Sequence, residues 1–298
     1  MDLLALRYFQ AVARREHISR AAEELRVAQP SVSRTISRLE AELGVPLFDR
    51  TGRQVRLNRY GAAFLRRVDR ALAELDDGRR ELADAAGLDH GAVAVAAETL
   101  LPLTGALAAL RAAHPGIGVR LFQAEREEMA RRLQAREVDF CLASQPLPLP
   151  GPALREIVLV REEVLLAVPG AHPLARRKRV AIADLAGEPF ITTQRGNWQR
   201  ALLDRLFAAE GIRPVITCEG DEPGAVHDLI RAGLGIGLLP AMARQHVRGE
   251  VGVAWLHVDA ADCVRTLRLV WQADAYLSAA ARRFRDVVVA ELGDGGVR

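Results

Sequence analysis

The feature that most constrains this chain is residues 18–43, which read as two short helices joined by a tight turn. Pro30 falls in the first turn of the second helix, where its missing N–H has no helical partner to lose. Apolar residues recur along that helix at spacings of three and four, which predicts one narrow buried stripe of Val32, Ile36, Leu39 and Leu43. At about 100° per residue, the opposite side carries Pro30, Ser33, Arg34, Ser37, Arg38 and Ala41. This outer surface is small, hydroxylic and cationic and is expected to hold no acid, which suits the major groove of DNA.

The flanking segments favour a specific arrangement around these helices. An amphipathic helix precedes them, Ser19 is placed to cap the first of the two, and Arg26–Ala28 forms the turn. Gly44 stands where a helix ends, and residues 47–57 read as two strands around a basic tip. A lone helix of this kind would more often be a surface helix of an all-α domain. Three helices followed by a basic hairpin instead predict a winged helix-turn-helix.

These residues resemble the LysR-type transcriptional regulators. The matching motifs are Leu6–Phe9, Ser19–Ala22, Val27–Arg34 and Arg38–Arg50, a dense match over about 58 residues. Such proteins often have Ser or Thr at the position of Ala28, so its helix lacks a capping oxygen, a loss of about 1 kcal/mol. The resemblance implies that residues 1–58 bind double-stranded DNA.

The expected DNA contacts lie on the second helix and the hairpin. Gln29, Pro30, Ser33 and Arg34 would meet base edges, and Arg38 would lie closer to the phosphate backbone. Arg53 would enter the minor groove, and Arg50 would contact the backbone or form a structural ion pair. The predicted DNA-binding residues are Ser19, Gln29, Pro30, Ser31, Ser33, Arg34, Ser37, Arg38, Arg50 and Arg53. Residues 1–58 carry ten arginines and seven acids, so the net charge of +3 lies on this segment.

A long helix is predicted at residues 59–88, with Asn58 as its cap. It has one thin apolar seam at heptad spacing between charged flanks, formed by Leu65, Val68, Leu72, Leu75 and Leu82. Packing of the seam on its own chain is the alternative to pairing between two chains. Pairing would place two recognition helices on a two-fold DNA site. The resemblance implies a dimerisation helix, and homodimers or homotetramers.

From residue 91 onward, short apolar strands alternate with helices, which predicts an α/β domain with a mainly parallel sheet. The looser resemblance here, clearest at Leu100–Pro102, Val168–Pro173 and Ala232–Pro240, implies a two-lobed, periplasmic-binding-protein-like (type 2) effector domain. We place it at 91–298, with lobe I at 91–161 and 267–292 and lobe II at 162–266. The predicted fold class is therefore α/β overall, with an N-terminal winged helix-turn-helix and a linker helix.

Small hydroxyl and amide side chains follow several predicted strands, where ligands bind in open α/β sheets. Each is individually more typical of a helix cap, but the pattern recurs in both lobes. The predicted effector-binding residues are Thr99, Leu100, Ser144, Thr192, Thr193, Gln194, Arg195 and Gly196; the resemblance places Thr99 and the 192–196 loop in the inducer cleft. Arg195 beside two threonines favours a small anion.

Catalytic motifs are missing from the sequence. Gly233–Gly237 superficially resembles a dinucleotide fingerprint but leads into a strand rather than a helix. Three separated cysteines suggest neither a disulfide framework nor a zinc site, so no metal and no cofactor are expected. No run approaches the length of a membrane span, and a cytoplasmic protein is expected.

The favoured function is a transcription factor that responds to a small effector and contacts RNA polymerase, and not an enzyme. A DNA-binding repressor or architectural protein without an effector is the alternative. A solute-binding protein would share the α/β lobes but would not need the DNA-binding-like segment.

Overall fold

The computed structural model describes residues 1–51, 54–86, 91–149, 154–220, 222, 224–246 and 252–293. The chain divides into two compact units, Met1–Gly87 and Leu88–Arg298.

The first unit is a helical domain with a two-stranded hairpin. Three short helices surround one apolar core that includes Phe9, Ile36 and Leu39. Phe48 and Val55 of the hairpin strands join this core, so the hairpin packs onto the helices. The elements are α1 (Leu3–Arg15), α2 (Ile18–Leu25), α3 (Gln29–Leu43), β1 (Phe48–Thr51), β2 (Gln54–Leu57) and α4 (Arg59–Ala85). The predicted winged helix-turn-helix is therefore present.

Helix ends follow the sequence signals with one exception. The Nδ1 atom of His17, not Ser19, caps α2 by accepting the N–H of Arg20 at 3.4 Å. Ser19 lies inside the helix, because the N-cap is two residues earlier than expected. Ala28 precedes α3 without a side-chain cap, and Gly44 ends α3 at a φ of 72°. Both of these features agree with the sequence.

The apolar seam of α4 is used differently along its length. Val68 and Leu72 are 2% and 3% exposed within the single chain, because they pack into the core shared by α1, α3 and the hairpin. Leu65 packs against the same core. Within the single chain these three residues pack as the intrachain alternative describes, and their pairing between chains stays a prediction. Leu75 and Leu82 are 45% and 73% exposed.

The second unit alternates strands and helices. Its strands are β3 (Ala92–Ala97), β4 (Gly118–Gln123), β5 (Phe140–Ala143), β6 (Leu154–Pro169), β7 (Arg179–Val180), β8 (Pro189–Thr193), β9 (Val215–Gly220), β10 (Gly237–Pro240), β11 (Val253–Val258) and β12 (Val264–Gln272). Its helices are α5 (Thr104–Ala113), α6 (Arg126–Gln134), α7 (Trp198–Ala209), α8 (Ala225–Arg231), α9 (Ala241–His246) and α10 (Ala279–Leu292). Sequence patterning had not indicated β7, β11 or α9.

The main sheet is mixed, with strand order β4-β3-β5-β12-β6-β11-β7 and with β10 also paired to β6. The strands β3, β4 and β5 form a parallel group at one end, and β7 pairs parallel to β11 at the other. The strands β12, β10 and β11 run antiparallel to β6. The expectation of a mainly parallel sheet is therefore wrong. The difference arises at β6, because the charged residues Arg161, Glu162 and Glu163 interrupt the apolar pattern. The sequence therefore indicates only the segment after them as a strand, whereas β6 has 16 residues.

Two large cores divide this unit into lobes. Leu159 and Val160 of β6 belong to the first, with Phe140 and Phe284, whereas Val164 and Leu166 belong to the second. A buried ion pair joins β6 to β12 between the cores: the Arg265 Nε donates to Glu162 at 2.9 Å. Because β6 and β12 run through both lobes, they connect the lobes directly.

Candidate DNA interface and effector cleft

The N-terminal half of α3 presents a free outer surface. Gln29, Pro30 and Arg34 are exposed, while Ser31 and Ser33 are half-buried. The Arg34 Nε donates to the carbonyl oxygen of Pro30, one turn back, at 3.2 Å. The guanidinium is therefore held only by its own helix, and no acidic partner competes for it among the described residues. A ligand with acceptor oxygens can take over this hydrogen bond without breaking an ion pair.

The C-terminal half of the same surface differs from the expectation of an acid-free face. The Arg38 guanidinium lies 3.5 Å from the Asp2 carboxylate and 3.7 Å from that of Glu42. Asp2 reaches this position because it caps α1, where its Oδ1 accepts the Ala5 N–H. These exposed pairs are weak, so Arg38 can exchange them for phosphate oxygens. Ser37 and Ser19 are exposed on the helix-turn-helix.

The hairpin is held against the helices by side-chain hydrogen bonds to its backbone. Glu40 of α3 accepts the N–H groups of Leu47 and Phe48 at 2.8 and 3.3 Å. At Gly61, an added Cβ would lie 2.1 Å from the Leu47 carbonyl oxygen, so the approach of α4 requires glycine there. Arg53 and the Arg50 side chain lie outside the described residues, and their roles stay predictions.

In the second unit, a cavity of about 590 Å³ lies between residues of the two lobes. We call it the acidic cavity. Its lining from the first lobe is Glu98, Gln123, Ala124, Glu125 and Glu128, and from the second lobe Thr193, Gln194, Asn197 and Glu222. These residues follow strands or begin helices, because β3, β4, β8 and β9 all end near this edge. No basic side chain is among the described lining residues.

Glu98 is the buried carboxyl of this cavity. It follows β3 directly and is 5% exposed. One carboxylate oxygen accepts the Ser144 N–H at 3.2 Å, whereas Oε1 has no hydrogen-bond partner among the described residues. Burial raises the pKa of this carboxyl above its ordinary value of 4.5, although the neighbouring Ser144 and the charges of Arg265 and Arg126 lower it in part. Thr193, 1% exposed, likewise has an unpartnered Oγ1.

A second cavity of about 450 Å³ is rich in arginine. Arg265 lines it, but its charge is matched by Glu162, and its guanidinium lies 5.1 Å from the Trp198 ring centre. Arg268 and Arg126 face Glu156 and Glu127. The described lining is Arg126, Ser144, Gln145, Pro146, Trp198, Ala201, Leu202, Arg205, Asp262, Val264, Arg265, Thr266 and Arg268.

The predicted effector residues separate in the structure. Thr193 and Gln194 line the acidic cavity and Ser144 the second cavity, while Thr99, Leu100, Thr192, Arg195 and Gly196 line neither. Thr99 instead accepts the Leu101 N–H at 3.5 Å, which is the capping role weighed for it. Arg195 is exposed, so its geometry does not support the expectation that it selects an anion. The acids Glu98, Glu125 and Glu222 were missed; an acid immediately after a fully apolar strand was the available signal at Glu98.

The described residues do not form a metal site. No cluster of three or more metal-ligating side chains occurs there. Burial raises the pKa of Cys141 and of Cys263 to about 12, so both are held as thiols. No helix in the described part of the chain is long and apolar enough to cross a membrane.

Comparisons with known proteins agree over nearly the whole chain. Residues 3–62 match the family described as bacterial regulatory helix-turn-helix protein, lysR family, and residues 86–293 match the LysR substrate binding domain. The uncharacterized HTH-type transcriptional regulator YybE of Bacillus subtilis is 34% identical over 99% of this chain and 100% of its own.

Two solved structures share the fold. A variant of full-length OxyR from Pseudomonas aeruginosa, 23% identical, aligns with a TM-score of 0.74 over 98% of this chain and 94% of that chain. Full-length CbnR in complex with its target DNA, 25% identical, aligns with a TM-score of 0.56 over 98% and 100%. The helix-turn-helix unit, the two-lobed α/β unit and these matches lead to one conclusion: this chain belongs to the LysR family of DNA-binding transcriptional regulators with an effector-binding domain.

Proposed function

We propose that the chain regulates transcription by inserting the N-terminal half of α3 into the major groove of an operator. The observation that carries this proposal is the exposed surface of Gln29, Pro30 and Arg34, whose cation has no acidic partner among the described residues. Arg34 would read a base edge, and Arg38, already in exposed ion pairs, would contact phosphate. Ser19, Ser31, Ser33, Ser37, Arg50 and Arg53 complete the proposed contact set.

The effector is proposed to occupy the acidic cavity. Residues of both lobes line it, so a ligand that contacts Glu98 on one side and Thr193 on the other would draw the lobes together. The unpartnered Oε1 and Oγ1 atoms of these residues supply polar groups that a ligand can satisfy. Closure would change the spacing of the two DNA-binding units in an oligomer and thereby the bend of the DNA. A DNA-binding protein without an effector would have no need of these unpartnered atoms.

The assembly is proposed to be a homodimer or homotetramer joined through α4. Exposed Leu75 and Leu82 continue the heptad seam beyond the part that its own core buries. A dimer would offer two α3 helices to a two-fold operator. We place this activity in the cytoplasm, where the DNA is, with RNA polymerase as the further contact at the promoter.

A gel-shift titration with the intergenic DNA upstream of the protein's own gene tests the DNA contact. Arg34→Ala should weaken binding by about 1–3 kcal/mol and relax preference at one base position, because a bidentate contact to a base is lost. Arg66→Ala is the matched control, since Arg66 makes the same hydrogen bond on α4, to the Ala62 carbonyl oxygen at 3.2 Å. It should bind like the wild type.

Equal loss of affinity on random DNA would show that Arg34 contacts only phosphate. Failure of the wild-type protein to retard the upstream DNA at low ionic strength would remove the proposed function itself.

Arg38→Ala should weaken binding to all sequences alike and reduce the salt dependence by about one phosphate contact.

A further inference from the structure

The acidic cavity contains an unsatisfied hydrogen-bond acceptor. Glu98 is only 5% exposed, and its Oε2 accepts the Ser144 N–H, but its Oε1 has no partner among the described residues. A buried carboxylate with an empty acceptor position is costly unless a donor fills it. Its position in the lining makes the cavity the place from which a donor can arrive.

The charges around Glu98 select the kind of donor. Glu125 and Glu222 also line the cavity, and neither forms an ion pair among the described residues. Glu128 is already matched by Arg131 and Arg132, at 2.6 and 2.8 Å. The arginines that influence Glu98, Arg265 and Arg126, line the second cavity and are paired with Glu162 and Glu127. An anion in the acidic cavity would therefore face three carboxylates without a basic side chain from the described lining.

We propose that the effector of this regulator carries a protonated amine or guanidinium group that binds Glu98 in the acidic cavity. Glu98 Oε1 accepts a charge-assisted hydrogen bond from that group, and Thr193 Oγ1 accepts a second one. Glu125 and Glu222, which are exposed, add longer-range attraction at the entrance. The volume of about 590 Å³ lies within the range of small-molecule sites. This inference rests on the proposed function, since it takes the acidic cavity as the effector site.

A set of four-carbon probes tests the charge. Calorimetric titration of the full-length protein with 1,4-diaminobutane, agmatine, 1,4-butanediol and succinate compares cations with a neutral and an anionic molecule of the same carbon chain length. The cations should bind at least about tenfold more tightly than butanediol, because a hydrogen bond to a buried charged group is strong. Succinate should bind more weakly than butanediol.

Two variants assign the binding to Glu98. Glu98→Gln keeps the shape and an acceptor for the Ser144 N–H but removes the charge, so cation affinity should fall about tenfold or more. Glu291→Gln removes an exposed acid of α10 and is the matched control, with unchanged affinity expected. Glu222→Gln should lose only about two- to threefold, because its carboxylate is exposed.

Four results would overturn the proposal: tighter binding of succinate than of the cations, equal binding of butanediol, cation binding that survives in Glu98→Gln, and no binding of either cation. Gel shifts with the same protein preparations distinguish failure of the proposed ligand class from failure of the proposed function. If the wild type retards its upstream DNA but does not bind the cations, the ligand class is wrong and the regulator stands. If the DNA is not retarded, the proposed function fails first.

Discussion

Glu98 shows how the position of a single residue changes the chemistry of its side chain. It lies one residue beyond the strand β3, whose last five residues are buried, and its side chain is therefore buried with them. Because burial disfavours the charged carboxylate, the pKa rises above 4.5, and the folded protein binds the proton more tightly than the unfolded chain. Above pH 4.5 the buried carboxyl therefore lowers stability as pH rises.

The sign of this effect gives a prediction for the unliganded protein. Glu98→Gln removes the titrating group, so its melting temperature should exceed that of the wild type at pH 8 by more than at pH 5. The positive charges of Arg265 and Arg126 oppose the rise of the Glu98 pKa, but burial is the larger cause. Thermal unfolding followed by circular dichroism measures the difference; a gap that is constant or that widens toward acid would contradict the assignment.

At the scale of one element, β6 explains how the two lobes are joined. Its first half packs in one core and its second half in the other, and the charged residues between them face different surroundings. Glu162 is 9% exposed and paired with Arg265, while its neighbour Glu163 is 41% exposed and lies 2.7 Å from His257. Alternation along the strand places one acid inside and the next outside.

This contrast supplies a matched pair of substitutions. Glu162→Ala leaves the Arg265 guanidinium buried without its acid and should lower the free energy of unfolding by about 3 kcal/mol or more. Glu163→Ala removes an exposed pair and should cost less than about 1 kcal/mol. Urea unfolding followed by tryptophan fluorescence reports on this unit, since all three tryptophans, at 198, 255 and 271, belong to it. Equal effects of the two changes would refute the role given to the buried pair.

At the scale of the whole molecule, α4 serves two purposes along its length. Phe64, Leu65, Val68 and Leu72 complete the first unit's core, which leaves Leu75 and Leu82 as the apolar positions available to a second chain. A charged residue at Leu72 would therefore disrupt the folded unit itself, so it cannot report on pairing alone.

Leu82→Asp is the sharper test of assembly. Leu82 is 73% exposed in the single chain, so the change should leave the fold intact but shift the protein toward monomers, because a carboxylate cannot be buried in an apolar seam. Leu234→Asp, at a leucine 50% exposed in the other unit, is the control. Sedimentation velocity measures the outcome, and an unchanged oligomer in Leu82→Asp would exclude this part of α4 from the interface.

The sequence by itself determined the elements whose signals are local. The turn at Arg26–Ala28, the cap at Asn58, the αL residue Gly44 and the buried stripe of α3 each depend on residues within one helix turn or one loop. The family motifs around α3 were equally local, which is why the DNA-binding unit could be predicted closely.

Only the tertiary structure decided the features that depend on residues distant in sequence. The full length of β6 could not be predicted, because the partners of its central acids, Arg265 for Glu162 and His257 for Glu163, lie about 100 residues away in sequence. Asp2 pairs with Arg38, which is 36 residues away in sequence, and Val68 and Leu72 pack into a core formed with residues of α1 and α3. The acidic cavity arises in the same way, since Glu98, Glu125 and Glu222 converge only when separate strand ends meet. Local propensity carries no information about such long-range contacts, because burial and charge pairing depend on which residues the fold brings together.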